Sequence, residues 1–190
     1  MTPIDPLTVA AEVAAILERL GIPYVIGGSV ASSILGEPRS TLDLDIMVDA
    51  TTGDIRSLVR ALAKDFYVDE EDAVAAAGRS SSFNAIHLQS SLKVDFFPAE
   101  KLGREQIARR KAIVSRRELP PLYFYSAEDL VIRKLLWFRE GGESSSRQWR
   151  DVVSILKAAD VDRERLLQFA REQSIENLLL RAASDAGMRL

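Results

Sequence analysis

The sequence predicts an α+β fold: a mixed β-sheet flanked by helices over residues 1–120, then a helical C-terminal subdomain over residues 121–190. Three observations carry this. Short apolar runs with period-two alternation, the mark of strands, interleave with helical stripes as far as Pro120-Pro121. From Ser126 onward the pattern is almost entirely helical. The composition, 47% hydrophobic and 28% charged over 190 residues, is that of a globular chain long enough to bury its own core.

The elements follow in order. Asp5 suits an N-cap and Pro6 the first helical position, where a missing N–H costs nothing. Val9, Val13, Ile16, Leu17 and Leu20 then form one apolar stripe, and Gly21 and Pro23 end the helix. Tyr24-Val25-Ile26 is too short for a helix and reads as a buried strand running into Gly27-Gly28-Ser29. Val30–Leu35 is a short helix ended by Gly36 and Pro38. Leu42–Val48 alternates with period two, Asp43, Asp45 and Met47 on one face and Leu42, Leu44, Ile46 and Val48 on the other. A helix over Gly53–Lys64 and a short strand over Phe66–Val68 come next. The acidic run Asp65, Asp69, Glu70, Glu71 and Asp72 reads as a solvated loop. Phe83–Leu88 and Leu92–Phe97 are two strands of a hairpin, joined by Gln89-Ser90-Ser91. Ser126 with Asp129 resembles a capping box, and Trp149–Ala159, Arg163–Gln173 and Ile175–Ala186 complete a small bundle after the break Gly141–Ser146.

Composition excludes several chemistries. With no cysteine there is no disulfide framework, thiolate zinc site or thiol nucleophile. The single histidine, His87, excludes a multi-histidine metal site. The net charge of −3 does not suit a generic nucleic-acid coat. No apolar stretch approaches the ~18 residues that a membrane span needs. Met1–Leu7 lacks a basic n-region, so a cytoplasmic protein is expected. No Gly-x-x-x-x-Gly-Lys-Ser/Thr motif is present, which removes the P-loop route to nucleotides.

The informative constellation is Gly27-Gly28-Ser29, Asp43-Leu44-Asp45 and Lys93-Val94-Asp95. Two glycines at a strand-to-helix junction let a triphosphate approach the backbone, and the helix start adds N–H donors and a positive dipole end. Asp43 and Asp45 point the same way along one strand, with Cβ atoms about 7 Å apart. Two carboxylates on one face repel, so either that face is solvated or a cation neutralises it. Oxygen-only donors favour Mg²⁺ or Mn²⁺ over Zn²⁺. Asp95 sits in an otherwise apolar run and needs a partner. Lys93 on the same strand face offers a simple ion pair; alternatively Asp95 is the third carboxylate of a site for two metal ions, placed to take a proton from an acceptor hydroxyl.

Together these motifs resemble the nucleotidyltransferase superfamily that includes DNA polymerase β, over about residues 7–120. Asp43 follows Ser29 by fourteen positions, a spacing that suits the family. Arg39-Ser40-Thr41-Leu42-Asp43-Leu44-Asp45, Lys93-Val94-Asp95 and the later Lys134 and Arg150-Asp151 are similar to AbiE-type abortive-infection toxins. That resemblance implies catalytic and metal-binding roles for Asp43, Asp45 and Asp95. It implies nucleotide-binding roles for Gly27, Gly28, Ser29, Arg39, Lys93, Lys134 and Asp151, with Lys134 and Asp151 pairing with each other as the plainer alternative. The implied activity is metal-dependent transfer of a nucleoside monophosphate from an NTP to a hydroxyl, with tRNA or another RNA as acceptor and an antitoxin protein as partner. Two other readings compete: a nucleotide-sensing or partner-binding module without turnover, and a small-molecule transferase of the aminoglycoside type. Residues 101–117 bear on the acceptor, since seven basic side chains there face one acid, Glu105. Such a segment suits a phosphate backbone, unless it pairs with the acidic run at 65–72.

Overall fold

The computed structural model describes residues 5–190, so that Met1–Ile4, part of the stretch examined for a secretion signal, lie outside the described residues. The described chain forms two compact units. One holds residues up to Val30 together with Ser40–Tyr125; the other holds Ala31–Arg39 together with Ser126–Leu190.

The first unit is built on a seven-stranded mixed sheet. Its strands are β1 (Tyr24–Ile26), β2 (Asp43–Val48), β3 (Phe66–Tyr67), β4 (Phe83–His87), β5 (Lys93–Pro98), β6 (Lys111–Ile113) and β7 (Leu122–Phe124), in the order β3-β4-β5-β2-β1-β7-β6. The central strands are β2 and β5, parallel to each other, with β1 antiparallel to β2 and parallel to β7. Leu44, Ile46, Val94 and Phe96 are fully buried. Each contributes roughly 1.5–3 kcal/mol of apolar burial. A one-residue slip of either strand would bury its aspartates instead, so the core fixes the register.

Helix α1 (Pro6–Arg19) starts as its sequence implies, with the Asp5 carboxylate accepting from the Leu7 and Thr8 amides. It packs across β1, β2 and β7. Helix α2 (Gly28–Leu35) begins two residues earlier than its apolar pattern suggests, so that Gly28 and Ser29 lie in its first turn. Helix α3 (Thr52–Leu62) opens on a capping box between Thr51 and Asp54. The acidic run is a loop only in part: Asp65 lies in a turn, but from Glu70 the chain is helical. Asp69 caps α4 (Glu70–Gly78), and Glu70, Glu71 and Asp72 fill its first turn, where acids favour the dipole. Glu70 pairs with Arg56 and Arg60. The basic segment forms α5 (Lys101–Ala108) and then β6 at the sheet edge.

The second unit is helical: α6 (Ala127–Glu140), α7 (Ser146–Ala158), α8 (Arg163–Glu172) and α9 (Glu176–Ala186). Helix α6 is buried along nearly its whole length, polar side chains included, and packs on α7 and α8. Residues 31–39 join this unit through specific contacts. Ser154 Oγ accepts from the Glu37 amide at 2.6 Å, and a Cβ on Gly36 would overlap that same Oγ. No helix among the described residues is long and apolar enough to cross a membrane.

Candidate active site

The acids of the first unit sit where β2 emerges from the core. On the face of β2 that carries the aspartates exposure falls along the strand: Asp43 is exposed, Asp45 is half-buried and Met47 is buried. Parallel pairing with β5 sets Asp43 opposite Lys93 and Asp45 opposite Asp95. Since side chains two apart share a face, Asp43, Asp45, Lys93 and Asp95 form one patch on two neighbouring strands. Three carboxylates and one ammonium therefore share a surface at the edge of a dry core.

Gly27 and Gly28 bring the start of α2 against this patch. The Gly27 amide donates to the Asp45 carbonyl at 2.9 Å, extending the β1–β2 ladder by one step. A Cβ on Gly27 would stand 2.8 Å from the Tyr125 ring. Gly28 has φ +57, and a Cβ there would overlap the Asp45 carboxylate. Both the left-handed backbone and the close approach therefore require glycine. In consequence the Asp45 carboxylate lies against the first turn of α2, at the helix end that favours negative charge.

Lys93 Nζ lies 2.8 Å from Asp95 Oδ2. The hydrogen bond to Asp95 comes first in raising the Lys93 pKa above its ordinary value; burial opposes it, and the charges of Asp95, Asp43 and Asp45 add to the rise. The ion pair expected from sequence is thus present, and Lys93 answers electrostatically to all three acids.

The donor set suits a hard divalent cation: three carboxylates on one strand face, with no nitrogen or sulfur donor among them. The side chains stand apart, however. Among the described residues no three acidic or histidine side chains gather closely enough round one point to hold an ion. Asp95 is turned to Lys93 instead. His87 plays no part here, being 1% exposed with Nδ1 2.7 Å from Ser90 Oγ.

In the second unit Arg39, Lys134 and Asp151 form a network. Arg39 Nε and Nη2 donate to the two Asp151 oxygens at 3.1 and 3.0 Å. Lys134 Nζ donates to Asp151 Oδ2 at 2.8 Å and to Gln148 Oε1 at 3.1 Å. Burial pushes the Asp151 pKa up, but the hydrogen bonds and charges of Arg39 and Lys134 outweigh it and hold the carboxyl below its usual range. The Lys134 and Asp151 side chains are 2% and 6% exposed, against 27% for Arg39. So Lys134 and Asp151 do pair, and of the three only Arg39 presents appreciable surface. The link from Arg39 to Asp151 spans 112 residues, a pairing that no local pattern announces.

No family model and no curated protein matches the chain. Solved structures do. The chain is similar to an antigenic nucleotidyltransferase-like protein from Paracoccidioides brasiliensis, with TM-score 0.61 and 16% identity over 100% of this chain and 96% of that one. It is also similar to the antibiotic-resistance factor ANT(2'')-Ia, with TM-score 0.60 and 14% identity over 94% of this chain and 97% of that one. The same factor in complex with adenylyl-2''-tobramycin gives TM-score 0.51. The AbiE-type resemblance rests on the sequence motifs alone. What the comparisons and the seven-stranded mixed sheet establish together is the fold, which is that of the nucleotidyltransferases.

Proposed function

We propose that the protein transfers a nucleoside monophosphate from an NTP to a hydroxyl acceptor. The observation that carries this is the in-register face of Asp43 and Asp45 on β2 and Asp95 on β5, beside a helix start that only glycine can fit. In this reading Asp43, Asp45 and Asp95 hold Mg²⁺ or Mn²⁺, which when bound neutralises the triphosphate and eases ionisation of the acceptor hydroxyl. Gly28 and Ser29 receive phosphate oxygens at the start of α2. Asp95 takes the hydroxyl proton. The acceptor oxygen bonds to the α-phosphorus, the bond from that phosphorus to the bridging oxygen breaks, and pyrophosphate leaves.

The acceptor we infer is RNA. Of the acidic run, Asp69 caps α4 and Glu70 pairs with Arg56 and Arg60, so these two acids are engaged away from residues 101–117. Lys101, Arg104, Lys111 and Arg117 remain exposed there. A toxin role with a cognate antitoxin follows from the motif resemblance only.

The test is incubation with each α-labelled NTP, Mg²⁺ and either total tRNA or tobramycin. Label on RNA with release of pyrophosphate is expected, and Asp45→Asn should abolish it while leaving the thermal midpoint within a few degrees of the parent. Label on tobramycin alone would replace RNA by a small-molecule acceptor. No label on any acceptor, with ATP binding intact, would favour a nucleotide-sensing module.

A further inference from the structure

We infer that Lys93 is a built-in counter-ion to Asp95 and must be displaced before a divalent cation can use that carboxylate. This rests on the transferase reading and concerns how its metal site is kept empty of stray cations.

Three observations carry it. Lys93 is two residues before Asp95 on β5, so it shares the strand face of the acids rather than the face of Val94 and Phe96. Its Nζ reaches back to Asp95 Oδ2 at 2.8 Å and so engages an oxygen that a divalent cation would need as a ligand. And it is opposite Asp43 in the β2–β5 register, so a single ammonium serves a patch of three carboxylates.

The charge balance explains what the arrangement does. Three carboxylates and one ammonium leave the patch at −2. One divalent cation would cancel that charge, but it must first part Lys93 from Asp95. A cation arriving alone therefore meets a partly neutralised site and a competitor already bonded to its third ligand. A cation arriving with a triphosphate brings an alternative partner for the ammonium, because Lys93 can turn from Asp95 to phosphate oxygens. Metal and nucleotide then bind with positive coupling, each raising the affinity for the other by the same factor. Lys93 is a positioning residue in this scheme: it acts on the reaction by deciding when Asp95 becomes available.

The side chain of Lys93 is 43% exposed, so substitution leaves the apolar core untouched. Mn²⁺ affinity is measured by titration calorimetry, without nucleotide and with a non-hydrolysable ATP analogue, for the parent, Lys93→Gln and Lys93→Arg. Removing one positive charge a few ångströms from a divalent ion should tighten Mn²⁺ binding without nucleotide by about tenfold. Coupling between Mn²⁺ and the analogue should shrink in Lys93→Gln, whereas Lys93→Arg should behave as the parent. The double variant Lys93→Gln, Asp95→Asn should lose the gain. Equal Mn²⁺ affinities in parent and Lys93→Gln would overturn the counter-ion role while leaving the metal site standing. Absence of Mn²⁺ binding in every protein, even with the analogue present, would overturn both.

Discussion

Gly28 concentrates two demands in one residue. Its φ of +57 alone costs an L-residue about 1 kcal/mol, and the Asp45 carboxylate occupies the space where a Cβ would stand. The two can be separated experimentally, since Gly21 has φ +67 with nothing within 4 Å of its would-be Cβ. In urea unfolding, Gly21→Ala should cost about 1 kcal/mol, and Gly28→Ala should cost more by about 1–2 kcal/mol as Asp45 is pushed aside. Gly28→Ala should also lose nucleotide transfer. Equal costs at the two positions would mean that the Asp45 contact carries no energy. A similar economy governs Asp151, whose two oxygens bond both Arg39 and Lys134. The Lys134 ammonium, nearly fully buried, is received by that carboxylate and by Gln148, which offset the cost of burying its charge.

At the scale of the element, α1 shows how a cap can double as a pH-sensitive tie. Burial works to raise the Asp5 pKa, but hydrogen bonds from Arg116, Thr8 and the Leu7 amide outweigh it and hold the carboxyl at about 2, against an ordinary 3.8. A depressed folded pKa means that the stabilisation is complete above the ordinary value and is lost as pH falls through the folded one. Asp5→Asn keeps the cap oxygen and removes the charge. Its stability deficit relative to the parent should be constant at neutral pH and close between about pH 4 and pH 2, as urea midpoints taken across that range will read. A deficit that persists unchanged at pH 2 would show that the charge is irrelevant. This helix was legible in advance because cap, proline, stripe and stop all agree. The period of two in β2 and the shared face of Lys93 and Asp95 were legible for the same reason: strand geometry is local. Helix α4 was not, because its apolar face is almost all alanine and its acidic first turn imitates a solvated loop. Strands β6 and β7 have three residues each, too few for a period to show. The Lys134–Asp151 pair was open to a reading of the sequence, whereas the bond from Arg39 to Asp151 joins partners 112 residues apart, so only the fold could display it.

For the molecule as a whole, a net charge of −3 conceals a segment of local charge +6 at residues 101–117. Within it Arg110 lies 4.3 Å over the Tyr123 ring, and Arg116 is paired with Asp5. Arg104, though exposed, donates to the Ala99 carbonyl, so the side chains best placed to meet phosphates are the exposed Lys101, Lys111 and Arg117. Changing these three to Ala should flatten the slope of log K against log[salt] by up to about 3 units on an RNA duplex stem, or about 2 on a single-stranded end. An unchanged slope would remove this segment as the RNA-docking surface. The make-up of the second unit from two distant stretches of chain has a further consequence, which concerns the order in which the chain is made. Arg39 leaves the ribosome 112 residues ahead of Asp151, the carboxylate that its Nε and Nη2 bond. At synthesis rates of about 5–20 residues per second it waits roughly 6–22 s for that partner. Residues 31–39 belong to a unit whose remainder begins at Ser126, so no nascent chain shorter than that can complete it. The segment joining the glycine turn to the β2 aspartates is thus the last part of the N-terminal half to be secured, and it is secured by residues from the far end of the chain.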